Sequence, residues 1–139
     1  MNGLAPIDAL VQLSFKVQQA LGEVADEHDV SLVQMRLLGI LRDREPGMLE
    51  LAGFLGLDKS SVTGLVTRAE LRGLVQRSGR EGDRRSVLVA LTEGGRAFVA
   101  VAERQVRREI AKLVAGLDDD DKEQLASLAS RVVGGSGAA

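Results

Sequence analysis

The sequence predicts an α+β fold, mainly helical with one small β-hairpin, and three observations carry that prediction. Apolar residues recur every three to four positions through most of the 139-residue chain. Two short helical patterns meet at a glycine turn near Gly56. Further on, "RSGREGDRRSVLVALT", residues 77–92, opens with four arginines and two glycines in nine residues and runs into a strand-like apolar segment.

Each element has its own reason. Residues 8–27 set Leu10, Leu13, Val17, Leu21 and Val24 at spacings of three and four with no interior proline, and Val11 and Phe15 widen the apolar face of this helix. A face that broad suits one wide core contact, or a core and a partner together. After the polar "DEHD", Ser31 fits an N-cap for a helix carrying Leu32, Met35, Leu38 and Leu41. "REPG" at 44–47 ends it, because proline disfavours helix in the residue before it. "MLELAGFLGL" and "DKSSVTGLVTRAELRGLV" then form two helices joined by a tight turn, and Gly73 suits the left-handed position that stops the second. "LVQRS" and "SVLVALT" flank "GREGDRR" as two strands with a longer loop between them. Thr92 caps a long section in which Phe98, Ala102, Val106, Ile110, Leu113 and Leu117 recur at helical spacing. A last helix with Leu125, Leu128 and Val132 on one side follows "LDDDDKEQ". This order is that of a winged helix-turn-helix flanked by extra helices.

Bulk properties bound the rest. With 45% hydrophobic residues the chain reads as a single domain over 1–133, with a disordered tail at 134–139. Zero cysteines exclude disulfides, thiolate metal sites and cysteine nucleophiles. A lone histidine, His28, excludes a multi-histidine metal site, and no metal or cofactor is expected. "MNGLAPIDAL" lacks the features of a signal peptide and no apolar run approaches the roughly 20 residues of a membrane span, so a soluble, cytoplasmic protein with no membrane partner is expected. The net charge of −2 conceals a partition: residues 55–91 carry seven Lys/Arg against four Asp/Glu, while 1–54 carry four against eight. Only the middle third attracts a polyanion.

That third is also the helix-turn-helix. Leu51, Ala52, Leu55, Gly56, Leu57, Val62 and Leu65 supply the small, turn and buried positions that two helices crossing at about 90–120° require. If Val62, Leu65, Val66 and Ala69 face inward, the second helix turns Lys59, Ser60, Ser61, Thr63, Gly64, Thr67 and Arg68 outward. These short hydrogen-bonding or cationic groups suit a DNA major groove. The hairpin tip beside that helix carries Arg80, Arg84 and Arg85. One arginine there is suited to the narrow minor groove and the others to phosphates, with Asp83 steadying the loop by an ion pair. Adjacency to the helix-turn-helix favours this over a merely solvated charged loop.

"LELAGFLGLDKSSVTGLVTRAELRGLVQRSGREGDRRSVLVALTEGGR" resembles the DNA-binding core of the multiple-antibiotic-resistance-regulator (MarR) family, most specifically in "DRRSVLVALTEGGR". The likeness covers residues 31–97, and the flanking helices match the family layout. It implies a homodimer whose first and last two helices, about 1–30 and 98–133, form the interface. It implies that Arg85 reaches the minor groove with Asp83 steadying it, while the helix from Lys59 reads a pseudo-palindromic site. The function expected is a sequence-specific regulator binding double-stranded DNA, a ligand-responsive repressor; the alternative is a winged-helix protein-interaction module that binds no DNA. No enzyme motif is present. The resemblance also implies a small-molecule effector in a cleft between the dimerisation helices and the winged helix, for which Phe15, His28 and Arg36 are the candidate lining residues.

Departures from the family pattern are Thr67 where an acid is commoner, Ala69 where a larger apolar residue is, and Gly94 in place of lysine. His28 reads by default as a solvated residue, with a pH- or ligand-responsive role as the alternative. The "DDDD" of 118–121 reads as helix-start acids favoured by the macrodipole rather than a calcium loop. Met35 and Met48 are read as core filler.

Overall fold

A computed structural model describes residues 3–80 and 83–137, with the side chains at 80, 83–86 and 135–137 outside the description. The order is α1 (Pro6–Glu27), α2 (Leu32–Leu41), α3 (Met48–Leu55), α4 (Lys59–Leu71), β1 (Val75–Arg80), β2 (Asp83–Leu91), α5 (Glu93–Leu113) and α6 (Asp119–Gly137). The mainly α architecture with its hairpin wing is the fold the sequence predicts. The punctuation holds as well. Ser31 Oγ accepts from Gln34 N at 3.1 Å and Thr92 Oγ1 from Gly95 N at 2.9 Å. Gly56 (φ 66°) and Gly73 (φ 74°) both occupy the left-handed region that ends a helix.

The core lies in the winged helix. Leu37, Leu38 and Leu41 of α2 pack with Leu51 and Leu55 of α3, with Val62, Leu65, Val66 and Ala69 of α4, and with Val75, Val89 and Leu91 of the hairpin. Leu74 and Val99 close it on the α5 side. Ala69 is completely buried. The chain before α3 also joins the wing: Val89 N donates to Pro46 O at 2.9 Å, and Gly47 bridges Leu88.

Several boundaries differ from the sequence reading. The first helix opens at Pro6, whose fixed φ suits an initial helical position. The hairpin is tighter than two strands with a long loop, since pairing runs from Val75↔Leu91 to Arg80↔Asp83. Its register shifts between Gly79 and Arg80, the extra residues falling in β2 at 84–86. Such a bulge lets a glycine-bearing strand stay paired through a charged segment. The long helix ends at Leu113 rather than near Leu117, and α6 runs from Asp119 to Gly137.

The apolar stripe of α1 is only partly covered. Val24 is buried, but Ile7, Leu10, Val11, Leu13 and Phe15 are exposed, as are Leu128, Val132 and Val133 on α6. Among the described residues, no helix is long and apolar enough to cross a membrane, and no group of three or more His, Cys, Asp or Glu side chains is arranged to hold a metal ion.

One close approach is decisive. A Cβ on Gly95 would overlap the Leu74 carbonyl, whereas one on Gly94 would meet Gly73 O at 3.5 Å, an ordinary contact. Gly95→Ala is therefore expected to destabilise the protein by about 3 kcal/mol, the upper part of the usual overpacking range, despite alanine's better helix propensity. Gly94→Ala is expected to stay within about 0.5 kcal/mol of the parent. Urea denaturation of the two variants side by side measures the contrast.

Candidate nucleic-acid interface

The helix α4 starts at Asp58, whose Oδ1 accepts from Ser61 N at 2.7 Å and from the Ser60 hydroxyl at 2.9 Å. These bonds, led by that from the Ser61 backbone, hold the Asp58 carboxyl below the usual aspartate range. The inward set Val62, Leu65, Val66 and Ala69 is buried, while Lys59, Ser60, Ser61, Thr67 and Arg68 are exposed and Thr63 and Gly64 half-exposed. The candidate recognition residues thus share the solvent face of one helix.

Their hydrogen-bonding capacity is not uniform. Ser60 is turned to the cap, and the Thr63 hydroxyl donates to Lys59 O at 2.9 Å. Thr67 Oγ1 accepts from Arg77 Nη2 at 2.7 Å, and Arg77 Nε donates to Glu70 Oε1 at 2.8 Å. The Lys59 and Arg68 side chains make no hydrogen bond among the described residues. Arg77 lies on β1, so this pair of bonds fixes the wing root beside the outward face of α4. The sequence places Arg77 on the first strand, in "LVQRS", and gives it no role of its own. Its signal was Glu70, an acid on the preceding helix with the right reach, and Thr67 supplies the second acceptor.

Farther along the wing, Arg80, Asp83, Arg84 and Arg85 belong to the paired strands. Their side chains, and with them the expected Asp83–Arg85 ion pair, lie outside the described residues.

Behind the interface, a cleft of about 190 Å³ opens between α1, α2 and α5. Leu21, Leu32, Met35, Leu38, Phe98 and Val106 make its apolar walls, and Arg36, Arg42 and Glu103 its polar edge. Met35 therefore faces this cleft rather than filling the core. Arg42 is neutralised: its guanidinium binds Asp43 at 2.9 and 3.0 Å and Glu103 at 2.8 Å, contacts led by Asp43 that raise its pKa. Arg36 makes only a long 3.5 Å contact to Phe54 O.

Of the three candidate cleft residues, Arg36 alone lines it. Phe15 is 64% exposed on the uncovered face of α1. His28, following the last residue of α1, meets the cleft only through Phe98, its ring edge-on with centroids 5.0 Å apart. Nor is His28 simply solvated, since its Nε2 lies 2.6 Å from Gln105 Oε1. Gln34 was missed altogether: buried on α2, it donates from Nε2 to Leu65 O at 3.0 Å, a polar tie into the middle of α4. A glutamine beside an apolar stripe carries no sequence signal that separates this from solvent exposure.

The Asp58 cap gives a pH dependence with a definite sign. Its carboxylate is favoured in the fold and not in the unfolded chain, so the stabilisation is complete above the ordinary aspartate range and is lost as pH falls through the lower folded value. The difference in thermal midpoint between parent and Asp58→Ala is expected to be greatest near neutrality and to narrow in acid; a calorimetric pH series reads it.

The model of the MarR family matches residues 30–87. The HTH-type transcriptional regulator PecS of Dickeya dadantii is 30% identical over 131 residues, covering 91% of this chain and 78% of that protein. The HTH-type transcriptional repressor NicR of Pseudomonas putida is 37% identical over 93 residues, 66% of this chain and, at 58%, less than two thirds of NicR. The crystal structure of wild-type MarR in its apo form from E. coli superposes with a TM-score of 0.80 at 27% identity, covering 94% of this chain and 98% of that one. With its core, its wing and a relative matched along most of both chains, the protein belongs to the MarR family of winged helix-turn-helix transcriptional regulators.

Proposed function

We propose that the protein is a homodimeric repressor that binds a pseudo-palindromic site on double-stranded DNA and responds to a small-molecule effector. The observation that carries this reading is the Arg77 bond pair, which fixes the wing root against the polar face of α4 so that helix and wing present to one duplex together. Lys59, Ser61, Gly64 and Arg68, with Ser60, Thr63 and Thr67, enter the major groove in this reading. Arg85 enters the adjacent minor groove, Asp83 orients it, and Arg80 and Arg84 meet phosphates. The acidic bulk of the chain does not oppose this, because exposed charges more than a Debye length of about 8–10 Å from the groove are largely screened.

The uncovered apolar faces of α1 and α6 support the dimer. A two-fold pair would set its recognition helices about 34–36 Å apart, one turn of the duplex. The 190 Å³ cleft supports the effector, with Arg36 as the cation that meets an acidic group against aliphatic walls and one aromatic ring, Phe98. Repression is the action in the name of the P. putida relative. Such a protein works in the cytoplasm, where the duplex is.

Gel-shift titration against a duplex selected from a random-sequence pool tests the reading. Wild-type affinity is expected to fall with salt at a log-log slope of about −0.9 per phosphate neutralised. Arg85→Ala is expected to remove most of the binding while thermal stability and oligomeric state stay unchanged; wild-type affinity in that variant would take the wing out of the mechanism. Absence of any selected duplex would overturn the reading itself.

A further inference from the structure

The two ends of α4 are held differently. Its start carries the exposed polar groups, while its end is tied back into the body of the protein by one side chain. Arg72, the C-cap residue, donates from Nη1 to Asp29 O at 2.7 Å and from Nη2 to His28 O at 3.0 Å. One guanidinium thus clasps two consecutive carbonyls of the turn between α1 and α2. Asp29 in that turn has φ 56°, the one described non-glycine residue with positive φ. A sharply bent turn presents adjacent carbonyls in a common direction, and the planar fork of an arginine matches that pair where an ammonium would not.

The same turn is joined to α5. His28 Nε2 lies 2.6 Å from Gln105 Oε1, Gln105 Nε2 reaches Glu27 Oε2 at 3.4 Å, and the His28 ring packs edge-on against Phe98. His28 therefore holds α5 with its side chain and α4 with its backbone carbonyl. Because α1 and α5 pack on each other and carry uncovered apolar residues, the orientation of α4 relative to that pair decides how far apart two copies hold their recognition helices.

We propose that Arg72 is a positioning residue for DNA recognition: it locks the recognition helix to the α1–α2 turn and so sets the separation of the two recognition helices in the dimer, without touching DNA. The inference rests on the reading of a DNA-binding homodimer. Its consequence is a preorganised pair of helices, so that binding does not have to order them first. Losing Arg72 leaves each winged helix intact and makes the angle between it and the α1–α5 pair variable.

The chain has no native cysteine, so Leu49→Cys, at a position 82% exposed on α3, gives one spin label per subunit. Dipolar spectroscopy of the DNA-free, full-length protein is expected to give one narrow inter-label distance in the parent, and a broadened or shifted distribution once Arg72→Met is added. Methionine keeps the apolar stem and removes the donors. Affinity for the selected duplex is expected to drop on the order of tenfold, about the worth of a charged hydrogen bond, with the salt slope unchanged. An unaltered distance distribution overturns the proposal. So does a salt slope reduced by about one phosphate, which makes Arg72 a direct DNA contact. A fall in thermal midpoint with distance and affinity retained reduces Arg72 to a structural role and overturns it too. If Arg72→Met does not fold, Arg72→Lys carries the test, since an ammonium spans the two carbonyls poorly and the broadening is still expected. No inter-label distance in the parent overturns the dimer itself, an outcome distinct from the failure of Arg72.

Discussion

The arrangement depends on a junction where α4 ends, β1 begins, β2 ends and α5 begins. At the end of α4, Gly73 turns left-handed and Leu74 leads into β1. Thr92 N donates to Leu74 O at 3.1 Å, and the Thr92 hydroxyl donates to Gly73 O at 2.6 Å while accepting from Gly95 N. Gly95 lies against Leu74 so closely that no side chain fits. The hairpin thus leaves and re-enters the body at one point, with Val75 paired to Leu91, and the recognition helix, wing and long helix share a common origin. Without that clamp the wing would be a two-stranded ribbon with no fixed direction, since an isolated hairpin is marginal at best.

Much of this was legible because it is written in local chemistry. Ser31 and Thr92 as caps, and Gly56 and Gly73 as helix stops, follow from what those residues do to backbone hydrogen bonding and φ. The buried set on α4 follows from periodicity. The cleft was harder to read. The stripe of Leu32, Met35 and Leu38 looks the same in sequence whether a neighbouring helix covers it or leaves a gap, and here Leu32 and Met35 line the gap. Its candidate residues fared accordingly. Arg36 lies three residues before Gly39, which also lines the cleft, whereas Phe15 and His28 were chosen by type, and their directions depend on how α1 packs. The wing's strand lengths were underestimated because arginine and glycine weaken a strand signal, while pairing in the sheet is decided by the partner strand.

The polar ties share a physical pattern that composition conceals. Arg42, Arg72 and Arg77 each spend their charge inside the molecule, on Asp43 and Glu103, on two carbonyls, and on Glu70 with Thr67. Of these, Arg72 and Arg77 lie in the basic middle third, so two of its seven cations are engaged within the protein rather than free to reach a polyanion. Exposed ion pairs contribute little stability individually. Their value here is geometric, since an arginine satisfied by two acceptors on another element fixes an orientation that apolar contact alone leaves free to slide.

Helix α2 lies between the cleft and α4. Leu32, Met35 and Arg36 border the cleft, while Gln34 and Leu37 belong to the face packed toward the winged-helix core. The Gln34 amide gives one hydrogen bond to Leu65 O, and its Oε1, buried among the described residues, has no partner. One side of α2 borders the cleft, and the other side is bonded to the midpoint of α4. Displacement of so short a helix is difficult to absorb in a close-packed core and passes to what it touches. Gln34 at the middle of α4 and Arg72 at its end thus give this helix two separate polar attachments, one to α2 and one to the turn between α1 and α2.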